Sequence, residues 1–486
     1  MLFNSYIFLF CFLPLAVIGY YLLSRFCKDV RVCRLFLLGM NLWFYAYLDP
    51  RFLAVLLGSV VFNYLWAILL RRGGRPWVRR AALAFALVLN CGTLLFFKYT
   101  NFFIDTFNQL TGGHAPLLHL LLPLGISFFT FQQIALLVDA YRGEASAYPF
   151  IDYLCYATFF PTIMSGPIAL HSEILPQLQA ASSRRFQWEN FAKGLMAFSF
   201  GIFKKVLLAD TLGRAADYGF ASIHGMNSTT AFVVMLCYTF QLYFDFSGYC
   251  DMATGLGLFF NIQLPQNFDS PYRALTIADF WKRWHITLTR FFTRYLYFPL
   301  GGSRRGTLRT CLNVMLVFLV SGLWHGASWT FVVWGLLHGV AQVLCRLGKK
   351  TVAKLHPAIS WLATFAFINV TWVIFRAPTL PAALEFLGNL FRLDLGPLDL
   401  YLTEHFDLVE LLWLRLSILP TLPRWNLMLC VLFLLFALFA SVQMKNTNER
   451  LRDFQPRLRT MALSALLLFW AMISLSQISS FLYVMF

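Results

Sequence analysis

Residues 264–309 read LPQNFDSPYRALTIADFWKRWHITLTRFFTRYLYFPLGGSRRGTLR, and after an apolar run residues 321–340 read SGLWHGASWTFVVWGLLHGV. The two blocks hold His285 and His325, in a chain whose apolar segments otherwise keep most ionisable groups out. The surrounding sequence reads as the membrane structure needed to hold these two side chains in place.

Of 486 residues 59% are apolar and only 13% charged, with a mean hydropathy of +0.65. A soluble domain carries about 25% charged residues. Apolar runs of about 20 residues recur, each long enough to cross roughly 30 Å of hydrocarbon as a helix. The expected fold is all-α, a polytopic membrane protein of about ten to twelve spans with re-entrant or interfacial helices. It reads as one domain over residues 1–486, with a core at 90–375, an external segment at 377–425 and C-terminal spans at 426–486. The first run, residues 3–23, has no basic leader or small-residue cleavage site and is expected to stay as a span.

The formal charge of +17 has three readings. Nucleic-acid binding is the weakest, for want of a soluble basic domain to carry it. Positive-inside topology accounts for most of the excess, and a polyanionic cytosolic ligand is the remaining reading. The ten cysteines are scattered singly with no CxxC pair, as small core residues.

Basic loops set the orientation. Arg25, Lys28, Arg31 and Arg34 follow the first span, and Arg71, Arg72, Arg75, Arg79 and Arg80 the third. Both loops are expected in the cytoplasm, with the N-terminus outside. Residues 83–97 then run outward and 117–138 back. The segment 151–168 is apolar but broken by Pro161 and Gly166-Pro167, which predicts a short re-entrant or tilted helix. Residues 191–209, interrupted by Lys204 and Lys205, are expected to lie partly at the interface. Gln241, Asp245 and Asp251 fall within an apolar span and are expected to face a bundle interior or a watery cavity. The acidic excursion 377–425 fits the outside, and the last span leaves Phe486 outside.

A helix is predicted from Thr276, capped by that residue with Asp279 three positions on. Phe280, Trp284, Leu288, Phe291, Tyr295 and Phe298 then share an apolar stripe of roughly 80°. Arg283, Arg290 and Arg294 line one flank, facing headgroups or ligand phosphates. His285 projects roughly 160° from Arg283. Either it snorkels on an interfacial helix, or it aims inward at the cytoplasmic face.

The chain leaves the cytoplasm after Arg309 and is back by Arg346, so His325 is expected deep, near the turn of a helical hairpin. The leg from Thr310 rises only about 23 Å. Small neighbours (Ser321, Gly322, Gly326, Ala327, Ser328) allow close approach, and Trp324 and Trp329 are expected as apolar walls. An ionisable group at that depth is a candidate site, weighed against a neutral histidine bonded to a helix carbonyl. A neutral imidazole suits general-base work. His338, thirteen residues on, reads as a packing or supporting residue. Nothing resembles HExxH, a Cys/His metal cluster or a GxSxG elbow, and no metal is expected.

Together with FKYTNFF, LPLGISFFTFQ, FFPTIMSGPI and KKVLLADTL upstream, these two blocks and DFSGYCDMATGLGLFFNI before them resemble the membrane-bound O-acyltransferases. They are most similar to the bacterial branch that serves alginate O-acetylation and teichoic-acid D-alanylation. The resemblance covers residues 1–375 and more weakly the rest. It implies a ring of membrane helices around a tunnel, His325 as the essential histidine, and His285 at a second polar position where eukaryotic relatives usually carry asparagine after tryptophan.

It further implies acetyl-CoA as acyl donor, docking on Arg273, Lys282, Arg283 and Trp284. Gln241, Asp245, Asp251, Asn267 and His338 would support the tunnel or the histidines. The expected activity is acetyl transfer across the bacterial inner membrane for O-acetylation of an alginate- or cellulose-like exopolysaccharide. The partners implied are a periplasmic SGNH-type acetyltransferase, polysaccharide synthesis and export machinery, and membrane lipid. His325 would act as general base or carry the acyl group, and His285 would orient or polarise the thioester. D-alanyl or lipid acyl transfer on the same fold is the alternative, and a polytopic transporter the rival of another class.

Overall fold

A computed structural model describes the chain except residues 28, 119, 181–183, 409, 411–423, 476–480 and 483–486. Lys28, Phe486 and part of the acidic excursion used above therefore lie outside the described residues. Every regular element among the described residues is helical. Eight of these helices are long and apolar enough to cross a membrane. They are Phe8–Phe26, Arg51–Arg71, Pro76–Thr111, Ser228–Phe259, Gly306–His325, Trp329–Leu347, Pro357–Arg376 and Trp425–Val442. Two shorter apolar helices, Leu380–Phe391 and Leu458–Ile473, accompany them. In hydrocarbon a helix satisfies its own backbone, which is why such apolar sequence takes this form.

The chain divides into two compact units. The first comprises Met1–Phe198, Met252–Gln266 and Arg290–Tyr295. Its core includes Phe8, Phe12, Phe44 and Phe160, all buried, with Phe12 and Phe160 edge-to-face at 5.3 Å. The second comprises Ser199–Asp251, Asn267–Thr289 and Leu296–Phe486. His285 and His325 both belong to the second unit.

In the first unit, Pro76 starts a single helix of 36 residues that stops at Gly112 in the left-handed conformation, φ 68°. Proline opens a helix and glycine closes one for the reasons expected of each. The following span was expected over 117–138, but the helix is Ile126–Arg142. Pro123 disfavours helix before it, and Asn101 holds Leu118 out of one by accepting from its N–H and donating to its carbonyl, both at 2.8 Å. The broken segment forms an eight-residue helix, Phe150–Ala157, then buried irregular chain.

Lys204 and Lys205 correct the expectation of an interfacial segment. The helix Trp188–Phe203 continues through a π-turn, Lys204–Ala209, into Asp210–Ala221. Within the second unit Lys205, 2% exposed, pairs with Asp245 at 2.7 Å and Asp210 at 2.8 Å. Lys204 meets Asp251 at 2.6 Å. A buried ammonium persists only when paired, so these lysines are interior groups rather than snorkelling ones.

Candidate functional site

The hairpin that carries His325 forms as expected. Its first leg is Gly306–His325, with His325 as last residue, and its second is Trp329–Leu347. Ser328 caps the second leg, accepting from Thr330 N–H at 3.3 Å. The legs approach closely because glycines face one another. A Cβ on Gly322 would stand 2.3 Å from the Phe331 carbonyl oxygen, and one on Gly335 2.5 Å from that of Phe318. His325, 3% exposed, is enclosed by Trp324, Trp334 and Phe375, with ring centroids at 4.8, 5.1 and 5.3 Å. Trp329, expected as a wall, is half exposed instead, because it opens the second leg on the far side of the turn.

The histidine of the first block sits differently from expectation. Thr276 does cap a helix, accepting from Asp279 N–H at 3.0 Å. That helix ends at Arg283, however, and a second one, Ile286–Phe292, follows. His285 lies in the break at φ 45°, so the continuous stripe running to Phe298 does not form.

Asn267 makes the break. Its backbone carbonyl accepts from Ile286 N–H at 2.9 Å. Its side-chain Oδ1 accepts from Thr287 N–H at 3.2 Å and Thr287 Oγ1 at 2.9 Å, and lies 3.1 Å from His285 Nδ1. His285 is fully buried. The snorkelling position is thereby excluded, and burial pushes the imidazole down to about 3.

The two histidines also share a neighbour. Trp324 lies 6.0 Å from the His285 ring and 4.8 Å from the His325 ring, centroid to centroid. Trp324 thus packs against both histidines in one aromatic cluster of the second unit. Phe246 closes it beside His285 at 4.8 Å.

The remaining candidates fall into three places. Trp284 is buried in a cluster with Phe268, Phe280 and Trp372, at 5.0, 5.6 and 5.1 Å. His338 accepts from Trp281 Nε1 through Nδ1 and meets Thr371 Oγ1 through Nε2, both at 3.1 Å. It stands behind Trp334, 4.8 Å away. Asp245 and Asp251 are engaged by lysines, with Leu482 N–H donating to the first at 3.0 Å and Thr447 Oγ1 to the second at 2.5 Å. Gln241 is buried where Gly213 packs against its amide.

Three arginines expected to face headgroups or phosphates are held within the protein. Arg283 pairs with Asp279 at 3.0 Å, Arg290 with Glu173 at 2.5 Å, and Arg294 with Asp139 at 3.1 Å. Arg273 donates to the Val442 and Met444 carbonyls at 2.5 and 2.6 Å. Lys282, Arg304, Arg305 and Arg309 remain exposed.

One buried network had no counterpart in the sequence reading. In the first unit His171 Nε2 meets Asp139 Oδ2 at 3.1 Å, and its Nδ1 lies 3.1 Å from Tyr148 Oη. Tyr295 Oη donates to the same carboxylate at 2.9 Å. Asp139 and His171 are 32 residues apart, and no local pattern pairs them.

Chemically, this second-unit cluster offers two imidazoles among aromatic side chains, a setting for proton transfer in a dry environment. Comparison with known proteins identifies the family. Residues 26–378 match the profile of the membrane-bound O-acyltransferase family. A peptidoglycan O-acetyltransferase of Helicobacter pylori is 41% identical over 481 residues, covering 92% of this chain and 91% of the relative. A probable alginate O-acetylase of Pseudomonas aeruginosa is 40% identical over 402 residues, 80% of this chain and 75% of the relative. A teichoic acid D-alanyltransferase of Bacillus subtilis is 26% identical over 316 residues, 63% and 79% respectively.

Proposed function

We propose, for a chain that belongs to the membrane-bound O-acyltransferase family and is an O-acyltransferase, that the group it moves is acetyl, passed from cytosolic acetyl-CoA toward a glycan outside the inner membrane. The observation that carries this reading is the pocket in which Trp324 touches both His285 and His325. Acetyl rather than D-alanyl is favoured by 41% and 40% identity to O-acetylating relatives against 26% to the D-alanyl one. The glycan is peptidoglycan in the first instance, because the peptidoglycan relative aligns over 92% of the chain and the alginate relative over 80%. An exopolysaccharide of the alginate kind is the second reading.

In this mechanism His325 removes the proton from the acceptor hydroxyl. The acceptor oxygen attacks the thioester carbonyl carbon, the C–S bond breaks, and the CoA thiolate leaves to take up the proton. His285, with Nδ1–H directed at Asn267, presents a lone pair at Nε2. It is thus a hydrogen-bond acceptor, not a group that could polarise a carbonyl by donating to it. The donor's phosphates fit the exposed cations of the second unit, Lys282, Arg304, Arg305 and Arg309. A periplasmic SGNH-type acetyltransferase completes the delivery to polymer.

Labelled acetyl-CoA supplied to the cytosolic face of membrane vesicles tests the reading. Wild type should release or export label, and His325→Ala should fall by about 10²-fold or more. A folded His325→Ala protein that transfers acetyl at the wild-type rate would remove the assignment. Acetyl content of muropeptides and of secreted polysaccharide, compared between a deletion strain and its complement, separates the two glycans.

A further inference from the structure

The first unit holds a cleft of about 900 Å³ that the acyl-transfer reading does not use. Its floor comes from Leu13, Val17, Ile18 and Leu22 of the first span, with Phe191 and Phe259 opposite. One end is different in kind. Arg25, Arg184 and Arg185 line it, beside Phe186 and Trp188. The volume lies in the upper part of the range of ligand sites, about 300–1,000 Å³.

The three arginines set this cleft apart from ordinary lipid-facing surface. Three other arginines of the first unit have carboxylate partners, Arg34 with Asp152 at 2.6 Å, Arg290 with Glu173, and Arg294 with Asp139 and Glu144, and the half-buried Arg79 donates to the Leu70 and Tyr141 carbonyls. No carboxylate among the described residues pairs with Arg25, Arg184 or Arg185. Their backbones are nonetheless fixed. The Arg184 carbonyl accepts from Ser24 Oγ at 2.6 Å, and the Arg185 carbonyl accepts from Asn261 Nδ2 at 2.8 Å. Three arginines without a carboxylate partner among the described residues thus line one apolar cleft.

We propose that this cleft binds one anionic glycerophospholipid, its phosphate on Arg25, Arg184 and Arg185 and an acyl chain along Leu13–Leu22. Guanidinium recognises phosphate oxygens by paired N–H donation, and basic pockets beside membrane helices select anionic headgroups. Trp188, 78% exposed at the same end, is the residue type that settles at headgroup level. Arg25 ends a span in the stretch whose positive charges assign it to the cytoplasmic side, so the lipid is drawn from that leaflet. An apolar groove alone would take any acyl chain; the arginines make the headgroup the selected feature.

The test uses the full chain, reconstituted with equal phosphatidylglycerol and phosphatidylcholine, then washed in detergent and analysed for retained lipid by native mass spectrometry. Wild type should keep phosphatidylglycerol through washing that strips phosphatidylcholine. Combined Arg25→Gln, Arg184→Gln and Arg185→Gln should lose it by roughly tenfold or more. Ile18→Trp, which fills the groove and leaves the charges, should lose it as well. Combined Arg346→Gln, Lys349→Gln and Lys350→Gln, exposed cations outside the cleft, should retain it. Excess inorganic phosphate should not displace it, because the chain contributes to binding. Wild-type retention in the cleft triple variant, equal retention of phosphatidylcholine, or displacement by phosphate alone would each overturn the proposal. Gel filtration of every variant keeps a folding failure from counting as lipid loss.

Discussion

Asn267 Oδ1 receives Thr287 N–H, and a backbone N–H can only donate, so the atom facing His285 is the amide oxygen. His285 Nδ1 must then carry the proton, which fixes a tautomer that the sequence cannot display. The φ of 45° adds a second constraint. A side chain with a Cβ pays roughly 1–2 kcal/mol there, and asparagine pays least among non-glycine residues. His285→Asn should therefore retain most of the thermal stability, whereas His285→Ala should lose about 1–3 kcal/mol through the lost hydrogen bond to Asn267 and the cavity left beside Phe246; equal losses would show that the backbone does not discriminate.

The pH dependence follows from the same burial. The folded imidazole sits at about 3 against about 6.5 unfolded. Above 6.5 both states are neutral and His285 leaves stability flat. As pH falls from 6.5 toward 3 the unfolded state takes up a proton that the folded state refuses, costing about 1.4 kcal/mol per unit. Wild type should accordingly lose stability faster than His285→Asn between pH 6 and 4 in thermal melts; parallel slopes would place the titration elsewhere. His285 itself was visible in the sequence as a polar residue in an apolar setting. Its burial was not, because its direction is set by a residue eighteen positions earlier.

At the scale of elements, the two blocks of the opening stretch differ in how openly they declare their shape. The Gly306–His325 and Trp329–Leu347 hairpin follows from basic residues at either end and a length too short to return otherwise. Its turn contains Gly326 and the cap Ser328, both local signals. The helix break at His285 has no such signal, since apolar spacing continues through it and only the tertiary bonds of Asn267 interrupt it. The glycines of the hairpin give the sharper test. Gly322→Ala improves intrinsic helix propensity by about 1 kcal/mol, yet its Cβ would meet the Phe331 carbonyl at 2.3 Å. Backbone cannot yield as a side-chain tip does, so overpacking should dominate by about 1–3 kcal/mol. Gly58→Ala, with nothing within 4 Å, isolates propensity and should be neutral or stabilising. The prediction is a lower melting temperature and slower acetyl transfer for Gly322→Ala only; a stabilised Gly322→Ala protein would mean the legs are free to part.

For the whole molecule, charge is the feature that relates chain to membrane. Interior charges are neutralised in pairs, as Lys205 is with Asp245 and Asp210. The net excess of +17 therefore acts through the exposed loops, where orientation is decided. The helix Pro76–Thr111 reads that orientation out within one element. Its 36 residues rise about 54 Å, well beyond roughly 30 Å of hydrocarbon. Arg75, Arg79 and Arg80 mark one end. Asn101, Asp105, Asn108 and Gln109, polar but without basic charge, mark the other. The positive-inside rule predicts the arginines in the cytoplasm and the far end beyond the outer face. Cysteine at Trp77 or at Leu110, 66% and 82% exposed, reports this in a background with the exposed Cys11 and Cys91 changed to serine. In intact spheroplasts a membrane-impermeant maleimide should label Leu110→Cys at once and Trp77→Cys only after permeabilisation. Cysteine at Leu395, in the acidic excursion and 82% exposed, should behave like Leu110→Cys. The reverse pattern would invert the helix Pro76–Thr111 and overturn the cytoplasmic assignment of Arg75, Arg79 and Arg80.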